Sequence, residues 1–249
     1  MSAWVGIGRS DIGRVRSSNQ DAFVTADHLN FWAVADGMGG HPGGDIAAHT
    51  AIASVTARAE LFSESLRSGQ CSPQNFLNDL LLYAQEAIVG RAQLEPPLKQ
   101  MGTTIVSLLI LPDLSPTAHL AHLGDSRAYL FRSGNLSTLT KDHTLVERYL
   151  EHGILTEASA RTHPERHVLT RALGMPVPVK PSFSAHPIHE GDLLILCTDG
   201  LTKMLEDRDI STCLAAADGD PIRACDGLIA EALARGGEDN VTVIVIAHP

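Results

Sequence analysis

An excess of basic residues is missing from this chain. Lysine and arginine number 19 against 29 aspartates and glutamates, a formal charge of −10 at pH 7. Nucleic acid and anionic membranes both call for a basic footprint, so neither is expected as the main partner. Long apolar runs are missing too. The longest, around TIVSLLIL, closes at Pro112, far short of the roughly 20 residues that span a bilayer. No basic region followed by an apolar core and a cleavage site opens the chain, so no secretory signal is expected. The four cysteines, Cys71, Cys197, Cys213 and Cys225, lack C-x-x-C spacing. That argues against zinc and disulfides and suits a cytoplasmic setting. Neither an EF-hand calcium loop nor a GxxxxGK[ST] phosphate loop occurs, which lowers the calcium-binding and nucleotide-kinase readings.

What is present is ordinary globular composition, 44% hydrophobic and 19% charged over 249 residues. This is enough for a substantial core. No repeat, low-complexity tract or linker divides it, so residues 1–249 are expected to form one domain. The chain is organised around residues 31–44, FWAVADGMGGHPGG. Its apolar, aromatic run reads as a buried strand that stops at Asp36-Gly37. The event recurs: LLILCTDGL ends its run at Asp199-Gly200, HLGDSRAYLF sets Asp125 between two runs, and GGEDNVTVIVI sets Asp239 directly before one. Four aspartates at strand ends outline a metal site.

Taken in order, residues 4–8 read as a strand and 9–16 as a turn. A strand over 22–26 can pair with 30–35 as a hairpin, which puts Asp21 and Asp36 at the same sheet end. Residues 45–61 read as a helix with Asp45 as its cap. Ser72-Pro73 is a cap followed by proline, and Phe76, Leu77, Leu80, Leu81, Ala84 and Ile88 give one apolar helical face. Runs at 103–111, 117–123, 127–132 and 136–140 are separated by only a few residues. Parallel neighbours need crossovers of about a dozen residues, so this block is an antiparallel meander. Residues 142–174 are polar and histidine-bearing, with short helices over 145–152 and 157–161, and read as a surface excursion. Asp142 is a candidate cap for the first of these helices. Strands over 181–186 and 193–198, helices over 207–216 and from Asp220-Pro221 to 235, and a strand over 241–247 complete the chain. This order predicts an antiparallel α+β layered domain.

Converging aspartates are costly: two unit charges about 4 Å apart repel by roughly 4 kcal/mol at an effective dielectric near 20. They either shift protonation or bind cations, and an all-oxygen set points to Mg²⁺ or Mn²⁺. Two such ions can acidify water and offset phosphoryl charge. Hydrolysis of a phosphate monoester needs acceleration of up to ~10²¹-fold. One general acid or base supplies only about 10²–10⁴.

With these residues in view, the sequence resembles the metal-dependent type 2C serine/threonine protein phosphatase family, in its compact bacterial form. RSSNQDAF, VADGMGGHPGG, MGTT, GDSR, KDH, LTRALG, CTDGL and GGEDNVT follow the family's order across nearly the whole chain. The resemblance implies an α/β/β/α four-layer sandwich of two antiparallel sheets flanked by helices. It implies that Asp36 bridges two Mg²⁺ or Mn²⁺ ions, that the Gly37 carbonyl binds one, and that Asp199 and Asp239 complete the second. Asp125 with Asp199 matches a third ion. Asp21 matches an outer-shell acid, and Arg16 matches the arginine that receives substrate phosphate. Residues 142–174 match the flap over the substrate path. Many relatives carry glutamate where this chain has Gln20, which can bond a metal-held water but adds no charge. His41, set after Met38-Gly39-Gly40, is the candidate proton donor to the leaving group. Arg127 and Arg171 read as structural, Asn240 as fixing the loop beside Asp239, and His152, His163 and His167 as solvated. The implied activity is hydrolysis of phosphoserine and phosphothreonine on proteins by direct attack of a metal-bridging hydroxide. The protein would work as a monomer against a serine/threonine kinase. The rival readings are a phosphatase of small phosphate esters and a non-catalytic phosphoprotein-binding module.

Overall fold

The computed structural model describes residues 4–38, 43–111, 116–176 and 178–248. In chain order the strands are β1 (Val5–Asp11), β2 (Asp21–Ala26), β3 (Phe31–Asp36), β4 (Ile105–Leu111), β5 (Thr117–Leu123), β6 (Arg127–Arg132), β7 (Asn135–Thr138), β8 (Ser182–Pro187), β9 (Leu193–Cys197) and β10 (Val241–Ala247). One sheet runs β1-β10-β9-β6-β7 and the other β2-β3-β4-β5-β8. All the pairings are antiparallel.

The alternation of side chains along a strand sets the layers. On β10, Val241, Val243, Val245 and Ala247 join one core while Ile244 and Ile246 join another. On β3, Phe31, Ala33 and Ala35 face a third core, and Trp32 and Val34 meet Ile244 and Ile246. The shared core lies between the two sheets. Strands apolar on both faces therefore need cover outside as well. Helices α1 (Gly44–Arg67) and α2 (Pro73–Leu94) cover the β3 sheet. Helices α5 (Asp199–Met204), α6 (Asp207–Ala216) and α7 (Pro221–Ala234) cover the β10 sheet. The result is the four-layer α/β/β/α sandwich. Two short helices, α3 (Leu145–Glu151) and α4 (Glu157–Arg161), lie between β7 and β8 in sequence. Among the described residues no helix is long and apolar enough to cross a membrane.

Four local expectations need correction. Residues 9–11, expected in a turn, extend β1 to Asp11 by pairing with β10. Helix α1 starts at Gly44 with Gly43 at its cap in a left-handed conformation (φ 86°), so Asp45 sits in the first turn and caps nothing. The helix also continues past residue 61 to Arg67, because Phe62 and Leu66 still pack on the core. Asp142 does not cap α3: Thr144 does, its side chain accepting from Glu147 N, while Asp142 takes the Arg127 guanidinium through two bonds of 2.8 and 2.7 Å. The caps at Ser72 and Asp220 form as the sequence suggests.

Candidate functional site

Strand parity aims the first acids. Asp36 shares its face of β3 with Trp32 and Val34, so it projects between the sheets just where β3 ends. Asp21 lies directly opposite Asp36 in the β2–β3 register, so the hairpin brings the two acids to one rim as its geometry requires. On the facing sheet, Thr198 and Thr242 continue the inward faces of β9 and β10. Both hydroxyls donate to Asp21 Oδ2, at 2.9 and 2.7 Å, tying the two sheets together at this end.

The other two acids arrive on turns. Asp199 opens α5 immediately after β9, and Asp239 precedes β10. These segments are in close contact: a Cβ on Gly200 would stand 1.9 Å from the Asn240 carbonyl oxygen. Gly200→Ala therefore pushes the Asp199 turn off the Asp239 turn. A loss of about 1–3 kcal/mol, the usual cost of overpacking, is expected in denaturant unfolding, with loss of activity beyond what stability explains. Asn240 does fix the neighbouring loop. Its amide donates to Ile12 O and Ser18 O and its oxygen accepts from Gln20 N. That clamp delivers Arg16 to Asp239, which it grips through two nitrogens at 2.8 and 2.9 Å.

The remaining motifs hold these acids in place. The Asp36 carbonyl accepts from Thr103 Oγ1 and Thr104 N, and Asp36 N donates to Thr104 Oγ1. Thr104 Oγ1 meets Ser126 Oγ at 2.7 Å, which joins MGTT to GDSR and so to Asp125. His143 Nδ1 accepts from Gly124 N and its own N–H donates to Gly124 O, so KDH pins the Asp125 turn. LTRALG closes the ring through Thr170 N on His143 O and Leu173 N on Thr103 O. Arg127 and Arg171 are structural as expected, paired with Asp142 and bonded to His143 and Ser182 respectively. Arg16, Gln20, Asp36, Gly37, Asp125, Asp199 and Asp239 all line one open cavity of ≈ 1800 Å³. His41 lies outside the described residues, and Asp21 sits behind the wall, 5% exposed.

Residues 7–222 match the family Protein phosphatase 2C. The chain belongs to that family. The serine/threonine phosphatase stp of Listeria welshimeri is 33% identical over 241 residues, covering 96% of this chain and 93% of the relative. The serine/threonine protein phosphatase PstP of Mycobacterium tuberculosis is 35% identical over 237 residues, covering 95% of this chain. That match covers 43% of PstP, so this chain spans less than half of that relative. The crystal structure of M. tuberculosis PstP/Ppp matches with a TM-score of 0.85 at 33% identity, over 98% of each chain. The PstP catalytic domain in complex with two manganese ions matches at 0.82 and 31% identity, over 99% of each chain.

The protein phosphatase 2C site of this chain is electrostatically loaded. Burial first, then the charges of Asp199, Asp21 and Asp125, raises Asp36 well above the ordinary carboxylate range. Burial likewise raises Asp21 to about 7, against the pull of its two threonine bonds, and Asp125 to about 8 with the help of Asp199 and Asp142. Asp239 behaves oppositely. Burial works to raise it, but Lys203, Arg16 and the Asn240 N–H prevail and hold it below its usual value. Lys203 Nζ stands between Asp199 Oδ2 (2.6 Å) and Asp239 Oδ2 (2.8 Å). The buried oxygens Asp21 Oδ1 and Asp199 Oδ1 have no hydrogen-bond partner.

This is an environment that calls for added positive charge. The donors are hard oxygens, burial and mutual repulsion disfavour charge on three of the acids, and two buried oxygens are unpartnered, all of which fits Mg²⁺ or Mn²⁺. Among the described residues no three such groups already close around one point. Lys203 and Arg16 instead pair with Asp199 and Asp239. Sequence reasoning missed Lys203, Thr198 and Thr242. Lys203 had one signal, its position four residues after Asp199, which matters only once α5 is seen as a helix.

Proposed function

We propose that this chain hydrolyses phosphoserine and phosphothreonine on proteins, using two Mg²⁺ or Mn²⁺ ions, with a third held by Asp125 and Asp199. The observation that carries the reading is that Asp36, Asp199, Asp239 and Arg16, far apart in sequence, line one cavity. In this reading Asp36, the Gly37 carbonyl, Asp199 and Asp239 would hold the first two ions. Asp21 and Gln20 hold water around them. Bound there, the ions supply Lewis acidity that acidifies water and offsets charge on the phosphoryl oxygens.

The protein's own groups do the positioning. Arg16 presents a planar fork suited to two phosphoryl oxygens, and its half-exposed side chain can turn from Asp239 toward the cavity. One water oxygen bonds to phosphorus as the ester P–O bond breaks, and no phosphoenzyme forms. His41 or a water returns a proton to the departing serine or threonine oxygen. Residues 142–174, which carry α3 and α4 and contribute Val146, Leu150, Leu155 and Arg166 to the cavity, serve as the flap. A cavity of ≈ 1800 Å³ exceeds the roughly 300–1,000 Å³ of small-molecule pockets. This favours a peptide segment over a small ester. The reading places the protein in the cytoplasm as a monomer acting against a serine/threonine kinase.

A phosphopeptide assay tests this. EDTA is expected to abolish phosphate release and added Mn²⁺ to restore it, with sugar phosphates turned over far more slowly. Activity indifferent to chelator refutes the metal role, and tight phosphopeptide binding without turnover in Mn²⁺ would favour a binding module. Arg16→Ala is expected to raise KM about tenfold, the scale of a lost charged hydrogen bond, with a smaller change in kcat. A pure kcat defect would place Arg16 elsewhere in the reaction.

A further inference from the structure

The mechanism above has no use for Lys203, yet no side chain in the site is more deliberately held. Helix α5 begins at Asp199, so Lys203 lies one turn further along on the same face. Its ammonium reaches Asp199 Oδ2 at 2.6 Å and Asp239 Oδ2 at 2.8 Å. The two carboxylates are 16% exposed and the lysine side chain 28%. These ion pairs are therefore shielded from water on the acids' side and open on the lysine's. The Gly200–Asn240 contact holds the two turns on which the acids ride close together.

Resting on the metal reading above, we propose that Lys203 is a tethered counter-ion that competes with a divalent cation for Asp199 and Asp239, and so sets how much metal the protein needs. A carboxylate oxygen bonded to an ammonium at under 3 Å has a lone pair engaged and a positive charge beside it, and both oppose a second cation. An ion that takes Asp199 Oδ2 or Asp239 Oδ2 must displace Nζ, and one that enters at the unpartnered Asp199 Oδ1 still meets the ammonium's charge. Lysine suits this exchange, being a compact point charge on a flexible four-carbon stem. It can withdraw into the open cavity without any movement of α5. Arginine at the same place would bond a carboxylate through two nitrogens and leave less readily. The free energy of the ion pairs is subtracted from metal binding, so the apparent dissociation constant rises by the same factor. Charge-assisted bonds of this kind weaken metal binding on the order of ten- to a hundredfold. In exchange, the acids keep a counter-charge when metal is scarce.

Isothermal titration of the full, chelator-stripped chain with Mn²⁺ tests this, comparing wild type with Lys203→Met and Lys203→Arg. The expected result is that K203M binds Mn²⁺ ten- to a hundredfold more tightly, while its Tm in EDTA falls below that of wild type. K203R stays at or above the wild-type dissociation constant. Should K203M not fold in EDTA, Lys203→Gln, which keeps a donor without the charge, takes its place under the same criteria. Wild type that binds Mn²⁺ with neutralised variants that bind it equally or more weakly overturns the competition and leaves the phosphatase reading standing. In that case a weakened affinity of the variants for inorganic phosphate would instead assign Lys203 to the substrate. No Mn²⁺ binding by wild type or any variant overturns both.

Discussion

Asp36→Asn lowers kcat/KM on a phosphopeptide by at least about three orders of magnitude, and the chelator-stripped variant unfolds at a higher temperature than wild type. Both halves follow from one side chain. The Asp36 carboxylate is desolvated and crowded by Asp199, Asp21 and Asp125, so its charge is unfavourable to the fold. Asparagine keeps the shape and removes that charge. The bonds that seat the residue run through its backbone N–H and carbonyl to Thr103 and Thr104, and the substitution leaves them intact. Catalysis loses a ligand common to both ions. Lewis-acid stabilisation is worth several kcal/mol, and about 4 kcal/mol corresponds to three decades in rate. Asp239→Asn provides the contrast. It is also inactive, but Asp239 is held ionised by Lys203, Arg16 and the Asn240 N–H, so its loss destabilises the chain. Steady-state kinetics beside thermal unfolding separates the two effects. Asp36→Asn activity within tenfold of wild type would contradict the assignment.

The chelator-stripped protein loses about 2 kcal/mol of stability between pH 6.5 and 8.5, and saturating Mn²⁺ flattens that loss. Burial raises Asp21 to about 7 and Asp125 to about 8 in the folded chain, against an ordinary value of 3.8 for each. Below those values the folded chain therefore carries protons that the unfolded chain has shed. Rising pH favours the state that holds fewer protons, so stability falls as pH climbs from about 4 until the folded acids are ionised. Two histidines act in the opposite sense at lower pH. Burial lowers His122, and burial with the neighbouring His122 and Arg171 lowers His143 to about 3. Unfolding exposes them to protonation mainly below about 6.5, so above that value they offset only part of the loss from the aspartates. In a chain of this size 2 kcal/mol is roughly 5 °C in Tm. Metal at a hundred times its dissociation constant adds about 2.7 kcal/mol. Calorimetry with EDTA and with Mn²⁺ across this window measures both. A stripped-protein Tm that rises from pH 6.5 to 8.5 would contradict the desolvated, mutually repelling acids.

The parts of this site that were legible in the sequence share a cause. Asp36, Asp199 and Asp239 each adjoin a strong apolar run, and a run both starts and stops abruptly at a charged residue. Asp21 followed because hairpin geometry leaves no other place for it. The two-sheet arrangement was legible through the short links between strands over 103–140. What escaped depends on contacts that no local pattern carries. Arg16 and Asp239 are 223 residues apart and meet because Asn240 clamps the intervening loop. Lys203 escaped because α5 has six residues, too few to show a helical period. Asp45 and Asp142 were read as caps by residue type alone. Gly43 won the first position because its left-handed backbone closes the turn without a side chain. Thr144 won the second because Asp142 was already committed to Arg127. The polar stretch Ser63–Glu64–Ser65 hid the last turns of α1, whose Phe62 and Leu66 remain on the core face.

Anomalous diffraction from crystals of the full chain soaked in Mn²⁺ tests the central claim most directly. The account predicts two strong peaks within bonding distance of Asp36, one of them shared with Asp199 and Asp239, and Lys203 withdrawn from both acids. Peaks elsewhere, or none at these carboxylates, would contradict it.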